Sequence, residues 1–404
     1  MSHALLSTRF YIVALTAAVI FSLAVARAGS ALQNAQESAA QPGAKVFDTM
    51  DYRIRVSTVA QGMSYPFALA FLPDGSMLVT QLNGQVRMIR DGRLLPDPVG
   101  RILEVYVRES VAAGAAGLMD IALHPKFAEN RLVYLTYNKP GERGATMALA
   151  RGRFDGSQLT DVTDLFVADA WEKMDGNLTS RIAFATDGTL YMTVSYHNEN
   201  KYSQDLNSHG GKVLRLRDDG TAPPDNPFAG RPGHRPEIFT YGHRGMHGIA
   251  IHPVTGDVWI AEHGDEVNIL KAGANYGWPF FGVMGAGGGT PTPPAPRGLQ
   301  VMDPYISWNP ALNISGMMFY TGNRFPKWKG NLLVGGLSTQ QVHRVAFTRD
   351  RPDLSAPLFT QIREALLTQI GGRVRDLRQG PDGLIYFVTY DERSGSVMRI
   401  EPAG

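Results

Sequence analysis

The 404-residue chain contains no cysteine. An oxidising compartment would therefore leave it unchanged, and its stability has to come from core burial and bound metal rather than disulfides. It has no lysine- or arginine-rich run, which removes the usual footprint of a nucleic-acid partner. Only 19% of its residues are charged, and the formal net charge is +2. No amphipathic helical stretch of any length occurs, which argues against all-α and α/β folds.

The N-terminus has the pattern of an export signal. Arg9 supplies a positive start, Tyr11 to Val25 is apolar except for Thr16 and Ser22, and Ala26-Arg27-Ala28 offers a small-x-small cleavage site. The alternative is a retained single-span anchor, since the apolar run approaches spanning length. Cleavage after residue 28 removes Arg9 and Arg27 and no acid, so the mature chain is formally neutral. The expected layout is a signal peptide over 1–28, a Gly/Ser/Ala/Gln-rich linker over 29–50 and one folded domain over 51–404. The mature protein is expected in the periplasm or secreted, without a membrane span.

What the chain has in quantity is glycine (44) and proline (25), together with a recurring pattern. An alternating apolar run, a Pro/Asp/Gly turn and a second apolar run begin at Phe67, Leu118, Arg181, His247, Gly316 and Val374. Period-2 hydrophobicity around a D-G turn marks a hairpin. Spacings of roughly 50–70 residues suit four-stranded blades with functional loops. Six such units predict an all-β, six-bladed β-propeller of antiparallel blades. The strand from Asp51 to Ala60 is expected to complete the last blade and close the ring.

The ligand site of a propeller lies on one face of the channel, among the loops joining the blades. The densest polar loops here run Pro236–Pro253, Ile260–Leu270, Tyr202–Gly220 and Gly371–Gly383. His243, His247, His252 and His263 show no metal-ligand spacing, and His124 and His252 precede turn prolines, which assigns both to turn chemistry. Arg373 and Arg375 stand two apart at a strand start. Strand alternation would point both the same way, suited to clamping a polycarboxylate or to a solvated rim pair.

These loops resemble those of the soluble quinoprotein glucose/sorbosone dehydrogenase family. The likeness covers about residues 55–402 and rests on segments such as SQDLNSHGGKVLRL, PEIFTYGHRGMHGIAIHP, EHGDEVNILKAGANYGWP and GRVRDLRQGPDGLIYFVT. It implies pyrroloquinoline quinone (PQQ) on the channel face, calcium holding the quinone, and hydride removal from a sugar C1. The implied partners are a small sugar substrate and a soluble electron acceptor. Arg244 matches the arginine lying against the cofactor, with Gly245 beside it, and Arg373 and Arg375 match the pair binding its carboxylates. Glu266 matches an acid at a structural calcium, with Tyr276 in the same loop and Gly264 at the metal-binding turn; these offer the hard oxygen ligands calcium prefers.

The chain departs from the family pattern at several site positions. Asn177 stands where the family has its histidine base, and asparagine cannot accept the sugar's proton near neutral pH. Ala115 replaces a glutamine, Gly245 an asparagine, and Ser338 a lysine. Gly264 runs straight into Asp265 and Glu266, without the carbonyl-bearing insertion that ligates the cofactor's calcium. Three readings stay open. The site is rebuilt with His209, His247 or His263 as base; or the propeller is a non-catalytic sugar or protein binder; or it is a calcium-dependent, lactonase-like hydrolase with acids converging on the axis.

Overall fold

A computed structural model describes residues 44–108, 115–173, 178–195, 200–281, 293–347, 361–368 and 370–403. The expected signal peptide lies outside them, as does Asn177. Among the described residues no helix is long and apolar enough to cross a membrane.

Residues from Lys45 onward form one unit of six antiparallel sheets arranged as a six-bladed propeller. The innermost strands are Pro66–Phe71, Leu118–Leu123, Ile182–Phe184, Met246–Ile251, Ile314–Phe319 and Arg373–Gln379, in blades 1 to 6. Each falls in one of the six recurring segments, and each touches the inner strands of the blades on either side. Blades 2 to 5 are simple four-stranded meanders. In blade 1 the fourth position is split between Arg93–Leu94 and Gly100–Arg101, which pair with opposite ends of the third strand.

Blade 6 takes its outer strand from the other end of the chain. Arg53–Met63 pairs with Gly395–Pro402, as expected for ring closure. A further strand, Lys45–Asp48, pairs outside it. The stretch expected as linker thus ends before residue 45, because Lys45–Asp48 meets the free backbone edge of Arg53–Met63 and continues the sheet.

The recurring turn has a simple cause. Gly75, Gly188 and Gly383 take φ of 85°, 86° and 76°, a region costly for residues with a Cβ. The preceding Asp74, Asp187 and Asp382 each accept the backbone N–H two residues on, at 2.9 to 3.0 Å. In blades 2 and 4 a histidine takes this place: Nδ1 of His124 accepts from Lys126 N at 3.0 Å, and that of His252 from Val254 N at 3.4 Å and Thr255 N at 3.2 Å. Both are turn residues, as their position before proline suggested.

The axis is closed by charge. Asp120 of blade 2, Arg181 of blade 3 and Asp376 of blade 6 are all buried. Arg181 Nη1 lies 3.4 Å from Asp120 and 3.1 Å from Asp376, its Nε donates to the His247 carbonyl at 2.8 Å, and its Nη2 to that of Arg375 at 2.8 Å. Arg378 bridges the same two acids at 3.0 and 3.1 Å. Blade 5 joins through Gly316, where any Cβ would sit 2.8 Å from Asp376. The buried acids and bases are paired and their remaining lone pairs are hydrogen-bonded, the condition under which burying charge is tolerable.

Candidate active site

The approach to each inner strand lies on one rim of the channel, together with the hairpin joining the second and third strands of each blade. Five of the six blades carry a register shift at the start of the inner strand, as between Met246 and Gly248 and between Val374 and Asp376. Bulges at a rim re-aim side chains out of strict alternation.

Arg375 is the extra residue of the blade 6 bulge. Alternation therefore does not relate it to Arg373, contrary to the sequence reading: Arg375 is buried, whereas Arg373 is half-buried opposite Tyr390. The Arg375 guanidinium lies over the rings of Phe67 at 4.1 Å and Tyr390 at 5.4 Å. Its Nε and Nη2 have no hydrogen-bond partner among the described residues. Burial, with Arg181 nearby, pulls its pKa down to about 9. A buried cation with unmet donors can receive an anion through charge-assisted hydrogen bonds.

Arg244 stands at the entrance to blade 4. Its guanidinium stacks on Trp278 at 4.4 Å and its backbone N–H donates to Glu262 at 3.2 Å. A narrow cleft opens beside it, lined by Glu262, His263, Glu266, Tyr276 and Trp278, with about 10 Å³ of free space. That is room for one water or one small ion.

The Glu262 and Glu266 carboxyls hydrogen-bond each other, and Asn268 Nδ2 donates to both at 2.7 and 3.0 Å. Burial raises Glu262 to about 7, and burial plus the neighbouring Glu262 charge raises Glu266 to about 8. Two buried carboxyls in contact cannot both ionise cheaply, so near neutrality they share a proton or need a cation. The buried Asn268 Oδ1 also has no partner among the described residues. This hard-oxygen set fits calcium. The Tyr276 hydroxyl is committed elsewhere, donating to Ile269 O at 2.7 Å and accepting from Lys271 N at 3.0 Å. Only its backbone carbonyl is left to ligate.

Gly264 takes φ of 118° in the tight turn. Asp265 is structural: its Oδ1 accepts from Leu312 N at 3.0 Å and Ile314 N at 2.9 Å, fastening blade 4 to blade 5. The Gly245 carbonyl accepts from His263 N at 2.6 Å, so its backbone ties the blade 4 entrance to this turn. No cluster of three acids or histidines suited to a metal occurs among the described residues. The axial acids Asp120 and Asp376 are paired with Arg181 and Arg378.

The three candidate histidines part company. His247 and His263 face each other with centroids 6.2 Å apart. Burial and the Arg244 charge lower His263 to about 4, so it is neutral at physiological pH. His209 is spoken for: Nδ1 accepts from Asp169 N at 2.9 Å, and Nε2 faces Glu237 at 3.2 Å. Both nitrogens are held in a wall between blades 2 and 3. His243 is fully buried between Thr240 and Glu262 and stacked on Tyr276 at 4.7 Å.

Sequence reasoning missed Trp278, Phe67 and Asn268. Asn268 carried a signal, since it lies two residues after Glu266 on a strand and so shares its face. Phe67 carried none, because it reads as ordinary blade core.

Comparisons with known proteins identify the family. The profile of the family described as Glucose / Sorbosone dehydrogenase matches residues 63–399. An aldose sugar dehydrogenase of Escherichia coli (strain K12) is 33% identical over 359 residues, covering 86% of this chain and 93% of that protein. The apo-form crystal structure of the soluble aldose sugar dehydrogenase from Escherichia coli superposes with a TM-score of 0.75 at 31% identity, over 86% of this chain and 99% of the other. The PQQ-bound form of an aldose sugar dehydrogenase from Streptomyces coelicolor gives 0.65 at 25% identity, over 86% and 98%. This chain belongs to the Glucose / Sorbosone dehydrogenase family.

Proposed function

We propose that the chain is a quinoprotein-type dehydrogenase, exported to the periplasm or secreted, that oxidises an aldose or related sugar to its lactone with PQQ and passes electrons to a soluble acceptor. The observation that carries this reading is the buried Arg375, whose Nε and Nη2 lack partners on the channel rim. Its donors suit the carboxylates of PQQ, with Arg373 beside it in sequence and Arg244 lying against the cofactor. PQQ, when bound, supplies the two-electron acceptor that takes hydride from the sugar C1.

The chain's own residues do the rest. His263, neutral above a pH of about 4 and lining the same cleft as Arg244, would take the proton of the sugar hydroxyl. A base of such low pKa is weaker than one poised near 7, and Arg244 is part of the reason. Glu262, Glu266 and the Tyr276 carbonyl would hold calcium, which would tie together the two loops that carry Arg244 and Trp278.

The test adds PQQ and calcium to the purified mature protein and measures cofactor binding and dye-linked oxidation of an aldose panel. Tight binding with turnover, both lost in Arg373→Ala/Arg375→Ala, is the expected result. Absence of PQQ binding sinks the reading. Binding without turnover, rescued by Asn177→His, supports instead a propeller that has kept its cofactor cradle and lost its base.

A further inference from the structure

The same rim carries a second concavity, of about 330 Å³, over blades 2 and 3. It lies between the hairpin around Arg143, the connection through Asp169 and Trp171, and the long blade 3 hairpin through Tyr202 and Asn207. None of the residues assigned above to cofactor, ion or proton lines it. Its volume is at the lower end of the range, about 300–1,000 Å³, of small-molecule sites.

The walls are braced from behind. Gly141 has no room for a side chain because the Trp171 indole packs against it. Arg143 lies over Trp171 at 5.1 Å and pairs with Asp169, which Arg235 also holds. His209 clamps the Asp169 backbone, accepting its N–H and donating its own N–H to its carbonyl at 3.2 Å. The buried Lys212 ammonium donates to the Tyr202 carbonyl at 2.6 Å and the Gly210 carbonyl at 2.6 Å. Burial lowers Lys212 to about 7, so holding Tyr202 this way has a cost. At the mouth Asp205 and Asn207 are exposed, with Asp205 accepting the Asn207 N–H at 2.9 Å.

Aromatic side chains beside planar carboxylate and amide groups match one ligand chemistry. A pyranose presents an apolar C–H face to an aromatic ring and adjacent hydroxyls to Asp and Asn side chains. Arg143, the one cation in the lining, is paired with Asp169, which leaves no unpaired positive charge to draw an anion, and the polar lining disfavours a wholly apolar guest.

We propose that this pocket is a glycan subsite, binding a pyranose unit of an oligosaccharide whose reducing end lies at the channel mouth. The placing of the reducing end rests on the sugar-oxidation reading; the binding itself does not.

Cofactor-free protein is titrated with cellotriose, maltotriose and glucose by calorimetry, using wild type, Trp171→Ala and Asn207→Ala. Dye-linked KM values are then measured for the same sugars with cofactor present. At least one trisaccharide is expected to bind, roughly tenfold more weakly in Trp171→Ala. Its KM rises to match, while the glucose KM is unchanged. Asn207 is exposed, so its variant keeps the fold and should still weaken trisaccharide binding. Failure of both trisaccharides to bind, unaltered binding in both variants, or an equal rise in KM for glucose and trisaccharide overturns the subsite. If no sugar is oxidised, the proposed function fails, while trisaccharide binding to the cofactor-free protein still decides the subsite.

Discussion

The Arg375 guanidinium rests 4.1 Å above the Phe67 ring, joining the inner strands of blades 6 and 1 by a charge lying on an aromatic face. The contact is worth about 2 kcal/mol or less and does not compensate a buried cation with unmet donors. Arg375 is thus poorly explained as a stabilising residue.

Arg375→Met should therefore raise the stability of the cofactor-free protein while weakening PQQ binding at least 100-fold. The folded state binds the Arg375 proton less tightly than the unfolded chain. The destabilisation is then fully present below about pH 9 and fades only above it. Thermal melts at pH 7 should rise by about 2–4 °C. An unchanged cofactor affinity would contradict the assignment.

The Glu262–Glu266 pair makes an opposite prediction in pH. Both carboxyls are raised in the folded state, so the stability they lend is present below their ordinary range. It is lost as pH climbs through about 7 to 8. The melting temperature of chelator-treated protein should fall between pH 5 and 8.5. Saturating calcium should flatten that slope by replacing the shared proton, and Glu266→Gln should remove most of it.

Asp120→Ala should be among the most damaging single changes. It takes an acceptor from Arg181 and Arg378, and also from the Ile182 N–H at 2.8 Å and the Ile121 N–H at 3.0 Å. Breaking a buried ion pair from one side costs about 3–5 kcal/mol, readable by denaturant unfolding.

Gly316→Ala tests the close approach of blades 5 and 6. The added Cβ meets backbone and carboxylate of Asp376 at 2.8 Å, and neither is a flexible side-chain end. A loss of about 1–3 kcal/mol is expected, readable by denaturant unfolding.

The blades were legible because strand alternation and D-G turns are local, and each of the six segments holds its own inner strand. The axial network was not. Asp120, Arg181 and Asp376 look like any polar residues in a strand until ring closure brings them together. Arg375 was found for a reason that proved incomplete: alternation paired it with Arg373, and a bulge that no local pattern announced separates their surroundings. The Glu262–Glu266 pair was half visible, as two acids in one loop. That Asp265 between them would turn away to fasten blade 5 depends on its φ of 59°, which sequence did not signal.

The pairing of Arg53–Met63 with Gly395–Pro402 makes the ring a clasp fastened by the two ends of the fold. Thr58 opposite Met398 is a contact 340 residues apart in the chain. Closing so long a loop is entropically the slowest step, so blades 1 to 5 can assemble while the circle is still open. During synthesis the rim bearing Arg244 and Arg375 is then complete only after the final strand has arrived. Cofactor loading becomes a checkpoint on finished chains, and a truncated product would be left gaping and unable to retain it.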